Sequence, residues 1–263
     1  MTLAHLAQPP EPSMEENASS SSDKLLAVLE TIAGSGACSL ADVVERSGLP
    51  FSTVHRIAGQ LMDRGYIVRL KRGQYRIGPA ALALGRNSSI RTLLEEASRP
   101  LLGELARACR AHVHLGVFED DMVTYLANVS YGRNDFRVDE GLQLEAYCTG
   151  IGKVLLANLS PGARDAYLSQ DELVALTANT IIDRDVLSDE LALIRDRGWG
   201  TDLGEVEPDQ FCIAVPVYDR DRTVLAAISA SVRNRQGNLE TVLRLLPELR
   251  KTADALSARL FPA

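Results

Sequence analysis

Cysteine is scarce and scattered in this chain. There are four in 263 residues, Cys38, Cys109, Cys148 and Cys212, with no C-x-x-C among them. That spacing fits neither a zinc cluster nor a disulfide framework, and it points to a reducing cytoplasm. Histidine is equally sparse: His5, His55, His112 and His114 are all there is to serve as base for a nucleophile at Cys148 or Cys212. His112 and His114 share one strand face, but no acidic or cysteine partner falls at metal-ligand spacing, so no metal or other cofactor is expected. No run approaches the ~18 consecutive apolar residues of a membrane-spanning helix, which excludes that class of membrane protein. Residues 1–22 lack a basic segment followed by an apolar one. They are rich in Pro, Glu and Ser, and predict a disordered tail instead of a secretory signal. There is no internal repeat.

What is present is the composition of a water-soluble protein, 46% hydrophobic and 24% charged, long enough for one large domain or two ordinary ones. The net charge of −7 is unevenly spread. Residues 23–86 hold nine basic and five acidic side chains, a surplus of four positive charges, which leaves eleven net negative charges to the remainder. A basic module joined to an acidic one suggests a nucleic-acid-binding head on a domain with another task.

The basic module carries the clearest pattern. Ser39, followed three residues later by Asp42, marks a helix start, with Leu40, Val43 and Val44 on one face. Ser47-Gly48-Leu49 reads as a turn in which Gly48 takes the positive φ a tight bend needs. Pro50 suits the first turn of a second helix, where a missing N–H costs nothing. In that helix Val54, Ile57, Ala58 and Leu61 recur at core-facing spacing. Ser52, Arg56, Gly59, Gln60 and Asp63 occupy the opposite face, flanked by Thr53 and His55. Hydroxyls, a guanidinium and an amide are the groups that reach phosphates and base edges. Gly59 costs about 1 kcal/mol against Ala in mid-helix; it is either tolerated or lets the helix sit closer to DNA. After Gly65 the period changes to two, and Lys71-Arg72-Gly73 turns a hairpin with a cationic tip, Lys71 and Arg72 joining Arg69 on the strand before them. A helix-turn-helix followed by a basic wing enters a DNA groove and clamps the backbone beside it. Ser52, Thr53, His55, Arg56, Gln60, Arg69, Lys71 and Arg72 are the candidate DNA contacts.

A helix over 23–33, with Leu25, Val28, Leu29 and Ile32 on one face, completes a three-helix head. Pro79 opens a short helix, and residues 87–110 read as linker helices kinked or restarted at Pro100. Their apolar residues Leu93, Leu94, Leu101 and Leu102, with Leu82 and Leu84 before them, are expected to be exposed and to pair subunits. Beyond them, strands are predicted over 112–118, 122–129, 199–203, 211–218 and 223–232. Helices are predicted over 149–159, 184–197 and 239–260. Strands interleaved with helices, with hairpins at both ends, describe an α/β domain on a largely antiparallel sheet.

Two motifs in this half carry chemistry. Tyr147-Cys148-Thr149-Gly150-Ile151-Gly152-Lys153 reads as a loop entering a helix, where N–H groups and the helix dipole favour an anion such as a carboxylate; tight packing around glycines is the other reading. It is not a Walker loop, because the spacing and the hydroxyl after the lysine are missing. Ser229 and Ser231 share one strand face. They either bond the backbone or line a polar pocket, since an unpaired buried hydroxyl costs roughly 1–3 kcal/mol.

Both halves resemble one family, the isocitrate-lyase-regulator (IclR) type of bacterial transcription factor. The resemblance rests on Ser39 to Asp42, Gly48 to Arg56, Gly65-Tyr66 and Tyr75 to Pro79. It continues through Thr149 to Lys153, Cys212-Ile213-Ala214-Val215-Pro216-Val217 and Ser229-Ala230-Ser231, and covers about residues 23–260. It implies an α+β protein: a disordered tail over 1–22, a winged helix-turn-helix domain over 23–86, linker helices over 87–110, and a GAF-like α/β effector-binding domain over 111–263. It also implies dimers through head and linker, often tetramers through effector domains, a double-stranded, pseudo-palindromic DNA operator and a small organic or aromatic acid as effector. By position in the family's motifs, Phe136, Leu144, Gly150, Ile151, Asp202, Gln210, Cys212, Ser229 and Ser231 would line the effector pocket. The chain departs from the family at Phe51, where a basic residue is usual, and at Tyr147, often His. It departs again at Asp209, commonly Gly, and at Gln210, which makes an apolar wall polar. The implied function is a ligand-responsive, sequence-specific DNA-binding transcriptional regulator of a catabolic operon. The alternative is a small-molecule-processing enzyme with a fused DNA-binding head, for which residues 112–232 supply few acid/base pairs; a DNA-bound scaffold with an empty second domain is a third.

Overall fold

The computed structural model describes residues 20–86, 89–132, 139–170, 173–233 and 238–262. The chain divides into two units, residues 1–88 and 89–263. The first begins with helix α1 (Ser21–Gly34), two residues earlier than its apolar spacing suggests, because Ser20 and Asp23 close a reciprocal capping box. Strand β1 (Cys38–Ser39) leads into α2 (Leu40–Ser47), where Ser39 and Asp42 form a second such box. Gly48, at φ 68°, ends α2 and donates its N–H to Val44 O. Pro50 then caps α3 (Phe51–Asp63), standing one position before the helix instead of inside its first turn.

The wing is β2 (Ile67–Arg69) and β3 (Gln74–Ile77), paired antiparallel around a turn in which Arg72 and Gly73 both have positive φ. β1 adds a third strand to β3, with Cys38 opposite Tyr75. Val28, Ile32, Val43, Val54, Ile57, Leu61 and Ile67 form the buried core of this unit, and α4 (Pro79–Leu84) follows.

The second unit starts with α5 (Ile90–Cys109), which runs through Pro100 as one helix. Leu94 and Leu102, expected to be exposed on a linker, are 1% and 0% exposed, buried together with Ala97, Leu105 and Ala106 in this unit's core. Burial of that face outweighs the hydrogen bond lost at Pro100. Leu82, Leu84 and Leu93 are exposed, and Leu101 is half-buried. The sheet comprises β4 (His112–Glu119), β5 (Met122–Val129), β6 (Gln143–Glu145), β7 (Gly200–Leu203), β8 (Gln210–Tyr218) and β9 (Val224–Arg233), all antiparallel in the order β6-β5-β4-β9-β8-β7. Asp120 and Asp121, both at positive φ, turn the β4–β5 hairpin.

The helices on the sheet's other side are α6 (Gly150–Ala157), α7 (Pro161–Leu168) and α8 (Arg184–Arg197). The C-terminal stretch is two helices and not one, α9 (Leu239–Leu243) and α10 (Leu246–Leu260), because Pro247 fits only a first turn. One sheet face packs with α5 and α10 around Leu102, Val113, Ile213 and Leu249. The other packs with α6 and α8 around Ile151, Leu155, Leu191 and Ala214.

Candidate functional site

In the first unit the core spacing of α3 leaves Ser52, His55, Arg56 and Gln60 exposed and Thr53 half-exposed. Arg56 donates to Gln60 Oε1 at 3.3 Å, so the two side chains lie together along one row, a turn apart. Gly59 has open space where a Cβ would stand, so packing does not demand glycine there. On the wing, Lys71 and Arg72 are exposed at the tip and the Arg69 guanidinium lies 5.9 Å from the Tyr75 ring centre. All eight candidate DNA contacts therefore sit on one helix and the hairpin that follows it.

In the second unit, strand register builds the other site. His112, Ser231, Cys212 and Asp202 stand abreast across β4, β9, β8 and β7, and His114 and Ser229 pair in the next row. These rows meet the start of α6, where Thr149 Oγ1 accepts from Gly152 N at 3.0 Å. The N–H groups of a helix's first turn have no helical carbonyl to bond, so Gly150 and Ile151 offer a site for negative charge. Gly150 permits the approach of helix to sheet, since a Cβ there would lie 2.7 Å from Cys212 Sγ.

Between these elements lies a cavity of about 160 Å³. Leu144, Gly150, Ile151, Asp202, Gln210, Cys212, Ser229 and Ser231 all line it. Phe136 lies outside the described residues. The wall also includes His114, Tyr125, Leu142, Thr149, Val206 and Glu207. Of these, His114 carries a signal the sequence offered, its shared face with His112, but a lining role was not read from it. Tyr125 and Leu142 carry none, because β5 and the residue before β6 meet the pocket only through long-range pairing.

Burial sets the electrostatics of the wall's inner groups, while Glu207 is ion-paired with Arg233. Burial, reinforced by His112, lowers the His114 imidazole to about 4, so it is uncharged at pH 7. Its Nδ1 is 3.5 Å from Ser229 Oγ, and its ring meets Tyr125 edge-on at 5.6 Å. Burial pushes the Asp202 carboxyl up to about 7, although it accepts from Glu205 N at 2.6 Å. The Cys212 thiol is pushed up to about 12 by burial and the nearby Asp202, and Cys148 likewise to about 12 by burial first. Both are thiols, not thiolates, at neutral pH.

Sequence reasoning missed a buried pair behind this wall. Lys153 donates to Glu205 Oε1, with both side chains almost fully buried, and ties α6 to the loop after β7. Burial pushes the Glu205 carboxyl up while the Lys153 ammonium opposes it. Among the described residues no group of three or more metal-ligating side chains gathers, and no helix is long and apolar enough to cross a membrane.

A winged helix-turn-helix followed by an α/β unit with a cavity of mixed polar and apolar lining is the architecture of a two-domain transcriptional regulator. The family model for the IclR helix-turn-helix domain matches residues 21–71, and that for the bacterial transcriptional regulator IclR C-terminal matches residues 89–258. The chain belongs to the IclR family of bacterial transcriptional regulators. It is 32% identical over 228 residues to the DNA-binding transcriptional repressor YiaJ of Escherichia coli, covering 85% of this chain and 81% of that one. It is also 32% identical over 212 residues to the HTH-type transcriptional regulator BhcR of Paracoccus denitrificans, covering 80% and 76% respectively. Among solved structures, an IclR homolog from Microbacterium hydrocarbonoxydans complexed with 4-hydroxybenzoate matches with a TM-score of 0.60 at 26% identity, over 92% of this chain and 99% of that one.

Proposed function

We propose that this regulator binds a symmetric DNA operator through α3 and the wing, and that a small organic or aromatic acid in the second unit's cavity sets its affinity. The observation that carries the reading is the cavity itself, closed by the α6 N-terminus on one side and by Ser229, Ser231 and Asp202 on the other. A carboxylate directed at Gly150 and Ile151 meets N–H groups and the positive end of α6. The two serines complete its hydrogen bonds, Leu144, Leu142 and Ile151 cover its carbon skeleton, and Gln210 favours a further polar substituent. With its pKa near 7, Asp202 can face such a ligand as a neutral acid and donate to it. The homolog bound to 4-hydroxybenzoate supports an aromatic acid as one class to test.

Binding without turnover fits a wall whose Cys212 is held as a neutral thiol and whose His114 meets the Ser229 hydroxyl only at 3.5 Å, the outer limit of a hydrogen bond. One recognition helix and one wing cover a short half-site, so useful specificity calls for a dimer and a pseudo-palindromic operator. A cytoplasmic, catabolic-operon regulator is the setting this reading implies. A thermal-shift screen of keto, hydroxy and aromatic acids tests it. A ligand at a hundredfold excess over its Kd stabilises the folded chain by about 2.7 kcal/mol. Such a ligand should lose its shift when Ser229→Ala and Ser231→Ala are combined. A hit that keeps its full shift in that variant would place the ligand elsewhere.

A further inference from the structure

Phe51 is the first residue of α3, and 57% of its surface is exposed. An exposed benzyl group contributes little to the fold, since the gain from an apolar side chain comes from removing it from water. Its ring instead meets the exposed His55 one turn on, with centroids 6.1 Å apart and planes tilted by 34°. Together they extend the exposed row of Ser52, Arg56 and Gln60 to the N-terminal end of the helix. In helix-turn-helix complexes that end of the recognition helix reaches base edges. A phenyl ring there has no hydrogen bond to offer a base. What the major groove presents to an apolar group is the 5-methyl of thymine.

We propose that Phe51 is a specificity-determining residue that reads a thymine methyl group in each operator half-site, its ring steadied by His55. This rests on the DNA-binding reading above. Selecting duplexes from a randomised pool with the full chain supplies the half-site, after which each thymine is replaced singly by uracil, which lacks only the methyl. At one thymine per half-site the replacement should weaken binding by the native chain about fourfold, the worth of one methyl-sized group withdrawn from water.

Phe51→Ala should bind the thymine and uracil duplexes equally, and Phe51→Leu, which keeps an apolar contact, should retain part of the discrimination. Because Phe51 is exposed, both variants should melt with the native chain. The proposal is overturned if Phe51→Ala selects the same half-site with undiminished affinity, or if uracil weakens it as much as it weakens the native chain. A pool from which nothing is enriched would overturn the DNA-binding reading, and this inference with it.

Discussion

Asp202 lies on β7 with 1% of its surface exposed, and its carboxyl is pushed up to about 7 mainly by that burial. The hydrogen bond from Glu205 N lowers it, the Glu205 charge raises it again, and Lys153 opposes. In the unfolded chain the same group titrates near 3.8. Between about pH 4 and pH 7 the folded state therefore holds a proton that the unfolded state has lost. Stability contributed at this position falls as pH rises across that window and levels off above it. Asp202→Asn removes the titration, so urea unfolding of both proteins should show the native chain losing ground to the variant from about pH 5 to pH 7, with no further change by about pH 8. Parallel profiles would contradict the shift. The pocket was legible in part: the two-residue spacing of Ser229 and Ser231 and the glycines before Lys153 are local signals. That Asp202 stands beside Cys212, or that Lys153 meets Glu205 fifty-two residues on, depends on sheet register and packing, which leave no mark on neighbouring residues.

At the scale of elements, the proposed function divides DNA recognition between α3 and the wing. Arg56, on the exposed row of α3, is placed for a base edge. Arg56→Ala should weaken operator binding by about 1–3 kcal/mol and relax preference at one position. Lys71, at the wing tip, is placed for the backbone. Lys71→Ala should weaken binding to all duplexes and lower the salt slope by about one. Gel-shift titrations at several salt concentrations separate the two effects, and unchanged binding by both variants would remove α3 and the wing from the interface. Long, periodic elements such as α3, β5 and α8 were readable from spacing and caps. The short ones were not: β1 has two residues and β6 three, and each is a strand only because β3 or β5 pairs with it. Helix α7, opened by Ser160 and Pro161, carries a start signal, but it has a single buried residue, Tyr167, and so no periodic stripe. For α5, spacing shows that a face is apolar and not what covers it: Leu94 and Leu102 lie in the unit's own core, while Leu93 is exposed.

The whole chain joins a basic head, which sequence charge alone sets apart, to an acidic unit with a cavity of mixed polar and apolar lining. The proposed function requires that occupancy of that cavity change the head's affinity for DNA. Coupling of this kind typically amounts to roughly 5–150-fold in affinity. The most direct measurement is operator affinity of the full chain with and without an acid that shifts its melting temperature, repeated in the chain carrying Ser229→Ala and Ser231→Ala. The account predicts that the acid changes operator affinity at least about fivefold in the native chain and leaves the doubly substituted chain unaffected. An acid that binds the cavity yet leaves operator affinity the same would contradict it.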